Sequence, residues 1–318
     1  MTLMTLMTTG VGVDVAEAKE NKAVLVLLDG IPADVLESVP TPHIDAISKA
    51  GGYSRAYVGG EAGGLSESPT ISAVGYQTML TGTWANKHNV WGNDIKEPNY
   101  DYWDIFRMVK TQNINLQTAI YSTWEDNRTK LLGDGLVEAG GKKVDYSFDG
   151  LEHETEQYPH DPASDYIRDI DAAVTTDAAQ HLRTVGPTLS WLYLQYTDDI
   201  GHRFGDGGHM QKAVQKMDER VGEVWNAVQE RSRESGENWL VVVTTDHGRD
   251  METGKHHGGQ SERERTIWIA TNSQRLDESF FKNPAMVDIL PSVIDHLNVS
   301  VPASVREQLD GQSFLSSP

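Results

Sequence analysis

The chain has 318 residues, 38% of them hydrophobic, with 27 Lys plus Arg against 47 Asp plus Glu, a net charge of −20. That length and apolar content allow one large α/β core or two small ones, while the negative balance argues against binding of nucleic-acid polymers and anionic membranes. The absence of cysteine excludes disulfides, thiolate zinc sites and cysteine nucleophiles, and no apolar run is long enough for a membrane-spanning helix.

In chain order, Met1 to Ala18 is rich in Thr, Met and Val and closes on Ala16-Glu17-Ala18. The closing triplet resembles a signal-peptidase site, but the segment lacks a basic start and carries Asp14, so residues 1–22 read as a tail or the remnant of an export signal. Periplasmic, secreted and cytoplasmic locations are all compatible with that reading. Apolar runs at 23–28, 118–121, 189–196, 239–243 and 266–270 predict core strands. Helical patterns lie between them, at about 165–183, at 214–228 and at 286–297, where Pro291 predicts a start or kink nearby. Val214, Met217, Val221, Val224 and Val228 recur at three- and four-residue spacing, a packing stripe with no chemistry of its own. Strands alternating with helices predict an α/β fold, a three-layer α/β/α sandwich with a largely parallel central sheet. Residues 23–318 form one predicted domain. The aperiodic, glycine-bearing stretch around 124–162 is its expected cap insertion, lying over the site.

Three of the predicted strands lead into carboxylates. The first ends in Asp29-Gly30, the third in Asp198-Asp199-Ile200-Gly201-His202, and the fourth in Asp246-His247-Gly248, answered ten residues later by His256-His257-Gly258-Gly259. Open α/β sheets place their sites at the carboxyl ends of strands. Asp and His there supply two metal-ligand types without sulfur. Asp198 and His202, four apart, converge on one ion if Gly201 permits a tight turn or the segment is helical. Singly, Asp29 reads as an N-cap and His202 as a surface histidine; it is their joint occurrence that points to a metal centre.

With these residues in place the chain resembles the alkaline phosphatase superfamily, nearest its type I phosphodiesterase/nucleotide pyrophosphatase branch. An Asp ending the first strand, a Ser or Thr nucleophile at a helix start, Asp-x-x-Gly-His, Asp-His-Gly and a late His-Gly occur in that order. In such phosphodiesterases the nucleophile precedes a Thr-Gly pair by nine residues, a His by sixteen and a phosphoryl-contacting Asn by twenty-one. Counting back from Thr81-Gly82, His88 and Asn93 gives Ser72 each time, whereas Thr70, the competing hydroxyl, fits none of the three. Thr41-Pro42-His43-Ile44-Asp45, Val287 to Ser292 and Asp310-Gly311 extend the resemblance over about residues 23 to 314.

The resemblance implies two divalent metal ions, Zn2+ by family pattern. Asp29, Ser72, Asp246 and His247 would hold one, and Asp198, His202 and His257 the other, with His256 an alternative to His257. It implies catalysis by Ser72, a phosphoseryl-type intermediate hydrolysed by water, and Asn93 donating to a nonbridging phosphoryl oxygen. Ser72 is placed where a helix N-terminus favours an anion; its structural alternative is a simple N-cap, and that of Asn93 a turn residue.

Monoesterases of the superfamily add Lys or Arg near the terminal phosphate oxygens, one subgroup through a Lys-x-Arg pair after its third strand. Ser122 to Arg128 here has no such pair and carries Glu125 and Asp126, leaving Arg128 as the one base placed to reach the phosphate. A small phosphodiester is therefore the expected substrate, with a phosphomonoester, or a catalytically silent metal- or phosphate-binding role, as alternatives. Sulfatases need Cys/Ser-x-Pro-x-Arg, whereas Ala73, Val74, Gly75 and Tyr76 follow Ser72. Phosphoglycerate mutases of this type need a large inserted domain that the length does not accommodate. Tyr76, Trp84, Trp91 and Trp124 lie near the nucleophile segment or cap, as packing or as walls of a leaving-group pocket.

Overall fold

A computed structural model describes residues 19–317. The reading of Met1 to Ala18 as a tail or export remnant lies outside the described residues. The strands are β1 (Asn21–Leu28), β2 (Gly52–Tyr57), β3 (Thr118–Ser122), β4 (Tyr146–Phe148), β5 (Leu189–Leu194), β6 (Asn238–Thr244) and β7 (Thr266–Thr271). The α-helices are α1 (Ala33–Ser38), α2 (Pro42–Ala50), α3 (Ser72–Thr81), α4 (Ala85–His88), α5 (Ile105–Gln112), α6 (Asp165–Thr184), α7 (Tyr196–Phe204), α8 (Gly208–Ser235), α9 (Glu262–Arg265), α10 (Ile289–His296) and α11 (Ala303–Arg306).

The strands form one seven-stranded sheet in the order β2-β7-β6-β1-β5-β3-β4. β1 pairs in parallel with β5 and β6, β3 in parallel with β5 and β4, and β7 runs antiparallel to β6 and β2. The expected largely parallel sheet is thus present, with β7 as its reversed member. β2 has no sequence counterpart among the predicted strands, because its inward residues Gly52, Ser54 and Ala56 are small and give no apolar run. The third predicted strand stops at Leu194 instead of 196, since Tyr196 already begins α7.

Alternation along β1 splits the core. Ala23, Leu25 and Leu27 pack under α3, α5 and α10, while Val24, Val26 and Leu28 pack under α2, α6 and α8. Burying each such Leu stabilises by about 1.5–3 kcal/mol, so a strand covered on both faces is held at the centre of the molecule. The stripe of α8 is wholly buried against this second face. Pro291 sits in the first turn of α10, where the lack of an N–H breaks no helical bond.

The strand order decides the site. β5 and β6 flank β1, with Leu28 opposite Leu194 and Leu27 opposite Thr244. The carboxyl ends of all three therefore lie side by side and present Asp29, the start of α7, and Asp246.

Candidate active site

Asp29 leaves β1 fully buried. Its Oδ2 accepts hydrogen bonds from the phenols of Tyr76 and Tyr193, the latter at 2.7 Å, and the two phenol oxygens lie 2.8 Å apart. Its Oδ1 has no hydrogen-bond partner among the described residues. Asp246 mirrors this arrangement. Its Oδ1 accepts the Gly30 N–H at 2.9 Å, and its buried Oδ2 has no hydrogen-bond partner among the described residues. Unpaired buried carboxylate oxygens are costly, and two of them facing one imidazole form a candidate cation site.

That imidazole is His247. Its Nδ1 lies 2.9 Å from the Gly248 carbonyl, which must accept a proton, so the Nε2 lone pair is directed inward. Nε2 lies 3.2 Å from Asp246 Oδ2, 3.5 Å from Asp29 Oδ1 and 3.4 Å from Ser72 Oγ. His257 follows the same design. Its Nδ1 is 2.8 Å from the Thr70 carbonyl, and its Nε2 is 3.0 Å from His202 Nε2 and 3.7 Å from Asp198 Oδ1. His202 Nε2 is 3.3 Å from Asp198 Oδ2. One donor atom from each of Asp29, Asp246 and His247 lies within 4.8 Å of the others, as does one from each of Asp198, His247 and His257. The stacked rings of His247 and His257, 3.7 Å between centroids, join the two groups.

Electrostatics agree with a cation-binding role. Burial, then the charges of Asp246 and Asp198, hold the Asp29 carboxyl well above its ordinary value, and burial pushes Asp246 up to about 7. Burial pulls His247 and His257 down, so both favour the neutral imidazole that binds metal. Burial would also raise Asp198, but His202 and Arg249 outweigh it and hold that carboxyl low. The oxygen and nitrogen donors, the orphaned oxygens and the fixed tautomers fit divalent cations of the zinc class.

Ser72 opens α3 as its first helical residue and makes no capping bond; Ile71 is the cap. Its height is set by Gly75, where a Cβ would lie 2.9 Å from Asp246 Cβ, so only glycine lets the helix press this closely on the strand end. Asn93 is tied to the same helix through its Oδ1, which accepts the Ala73 N–H at 3.0 Å, leaving its amide donors for the pocket. Thr70 is differently engaged. Its hydroxyl donates to the Gly259 carbonyl at 2.9 Å and accepts the Gly258 N–H at 2.9 Å, which anchors the His257 loop.

Asp198 and His202 are brought together by the helical alternative, four apart on α7. Asp171, buried on α6, accepts the N–H groups of Gln195 and Tyr196 at the start of that helix, and Thr197 Oγ1 donates to the Asp29 carbonyl at 2.6 Å. Gly201 does not make a turn. A Cβ there would lie 2.2 Å from the Arg249 guanidinium carbon. Gly201→Ala is accordingly expected to destabilise by about 1–3 kcal/mol as an overpacked core position and to displace Asp198. Unchanged denaturant midpoint and metal affinity would refute this account of Gly201.

Ser72, Asp29, Asn93 and Asp198 meet in a cavity of about 290 Å³ walled by Tyr76, Trp124, Glu152, His160, Tyr166, Ile167, Tyr193 and Gln195. His256 contributes nothing to the cluster, and its N–H bonds Asp250. Arg128 does not line the cavity either, being bound to Asp149 at 2.6 and 2.9 Å and to Glu125 at 3.1 Å. Of the four aromatics near Ser72, Trp84 is packing against Tyr57 and Trp91 is half-exposed, while Tyr76 and Trp124 face the pocket. The roles of Arg249, Tyr193 and the Tyr76 hydroxyl escape sequence reasoning, because apolar or charged side chains carry no periodic mark of a polar partner.

Residues 23–311 match the model of the family described as type I phosphodiesterase/nucleotide pyrophosphatase. Among solved structures, murine ectonucleotide pyrophosphatase/phosphodiesterase 5 in complex with AMP is 15% identical at a TM-score of 0.60, covering 89% of this chain and 96% of that one. A putative sulfatase from Bacteroides thetaiotaomicron is 13% identical at a TM-score of 0.63, covering 93% of this chain and 73% of that one. At these identities the two structures share the fold.

Proposed function

The chain belongs to the type I phosphodiesterase/nucleotide pyrophosphatase family of metal-dependent phosphoester hydrolases, and from that premise we propose that it hydrolyses phosphodiesters through a phosphoseryl intermediate at a binuclear centre. The observation that carries the diester is the composition of the cavity, whose walls hold aromatic and acidic side chains and no Lys or Arg. A monoester dianion would bring a second negative charge towards Asp29 and Glu152 with no Lys or Arg among the lining residues to meet it; a diester brings one. Arg128, the base that sequence placed nearest, is spent on Asp149 and Glu125.

In this reading Asp29, Asp246, His247 and Ser72 hold one ion, and Asp198, His202 and His257 the other, with Zn2+ suited to the donor set. Bound metal supplies charge stabilisation for the entering and leaving oxygens. Ser72 Oγ attacks phosphorus as the bond to the leaving oxygen breaks; the serine gives up its proton and the departing alcohol gains one. Water then cleaves the phosphoserine, freeing Ser72 and a phosphomonoester. Asn93 donates from its amide to a nonbridging oxygen as charge develops there. Residues 23–318 act as one catalytic unit, with 124–162 as a cap that contributes Trp124, Glu152 and His160 to the pocket.

The test compares bis-p-nitrophenyl phosphate with p-nitrophenyl phosphate, with and without added zinc. A kcat/KM ratio of at least about 10 in favour of the diester is expected, from one uncompensated charge at partly screened distance. Preference for the monoester would assign a phosphatase, and no turnover of either would assign a silent binding protein.

A further inference from the structure

Arg249 follows Asp246-His247-Gly248 directly and is fully buried. Its Nε donates to the Gly30 carbonyl at 3.0 Å, Nη1 to Lys255 O at 3.2 Å, and Nη2 to Asp198 O at 2.9 Å. Nη2 also donates to Asp198 Oδ1. Three backbone carbonyls thus fix the guanidinium whatever the carboxylate does. The chain is shaped around it: a Cβ at Gly201 would lie 2.2 Å from its Cζ, and one at Gly30 2.7 Å from its Nη2. A guanidinium remains charged at any working pH.

This permanent cation hydrogen-bonds a carboxylate in only one of the two ligand groups, although its charge also reaches His247 in the other. Asp29 and Asp246 bring a formal −2, and no Lys or Arg hydrogen-bonds either carboxylate among the described residues. Asp198 brings −1, and Arg249 adds +1, leaving 0 for the group it forms with the imidazoles of His202 and His257. A cation entering the first group displaces the protons that burial holds there and gains two carboxylates that it shares with no guanidinium or ammonium. In the second group it must share Asp198 with the guanidinium and is repelled by it.

We propose that the two ions are loaded unequally: the Asp29/Asp246/His247 site binds a divalent cation tightly by itself, whereas the Asp198/His202/His257 site, neutralised by Arg249, takes its ion together with a phosphoryl anion. This rests on the binuclear reading. The anion restores the negative charge that Arg249 cancels, and by linkage the second ion and the phosphoryl group strengthen each other's binding by the same factor. Arg249 is then a positioning residue for Asp198 that also makes the second ion conditional on substrate.

The experiment is a calorimetric titration of zinc into the chelator-stripped full chain, with and without inorganic phosphate. Without phosphate the first ion should bind at least about 100-fold more tightly than the second. Phosphate should tighten the second by about 10-fold or more and leave the first unchanged. In Arg249→Met the gap between the ions and its response to phosphate should both shrink; if that variant does not fold, the wild-type titration alone decides. Two ions of equal affinity, or a second ion indifferent to phosphate, would overturn the inference while leaving the binuclear reading intact. A single ion at saturation with phosphate present would overturn both.

Discussion

Ser72→Ala is expected to lower kcat/KM for a diester by at least about 10³-fold, the scale on which hydrolases lose rate when a covalent nucleophile is removed. The fold should survive. Ser72 makes no capping bond, and its one side-chain contact, 3.4 Å from His247 Nε2, is long, so its loss should cost about 1 kcal/mol or less. Metal should be retained too, since Asp29, Asp246 and His247 keep their donors. A burst of leaving group before the steady state is the expected mark of the covalent route in the wild type, and Ser72→Ala should lack it. Thr70 offers the control. Its hydroxyl is committed to the Gly258 N–H and Gly259 carbonyl, so Thr70→Val should act by loosening the His257 loop and weakening zinc binding. Full activity in Ser72→Ala would remove Ser72 from the mechanism and leave Thr70 as the nucleophile.

Chelation should abolish activity and lower the melting temperature together. Ligand bound only by the folded state at about 1,000 times its Kd contributes about 4 kcal/mol, which corresponds to roughly 6 °C for a chain of this size. The loss should depend on pH in a defined direction. Asp246 is pushed up to about 7 and Asp29 well above its ordinary value, against 3.8 for the unfolded chain. Folding therefore keeps protons that unfolding releases. Their contribution to stability is complete below about pH 4 and disappears as pH rises through 7. The chelated protein should melt at lower temperature at pH 8 than at pH 5.5, and zinc should recover most of the difference at pH 8. Asp198 is shifted the other way, because His202 and Arg249 outweigh its burial, so its contribution is lost only in acid. A melting temperature indifferent to chelation, with activity intact, would exclude the metal centre.

What the residues alone determine is local. Period-two and period-3.6 patterns are written in neighbouring side chains, so β1, β5, β6, the buried stripe of α8 and the place of Pro291 in α10 are all readable from the chain. The donor types and their order along it are readable in the same way, as is the spacing that sets Ser72 against Asn93. The tertiary structure alone decides what depends on strand order. It brings β5 and β6 to either side of β1, gathering Asp29, Asp198 and Asp246, and it reverses β7. It assigns Gly201 to clearing a guanidinium instead of making a turn. It pairs Arg128 with Asp149, which strips the pocket of its one candidate base. It sets Arg249 against Asp198 and Gly30, 51 and 219 positions away, and two phenols against one oxygen of Asp29. Such contacts join segments whose separation leaves no periodic trace, because a buried polar side chain is fixed by the groups that meet it in space and not by its neighbours in sequence.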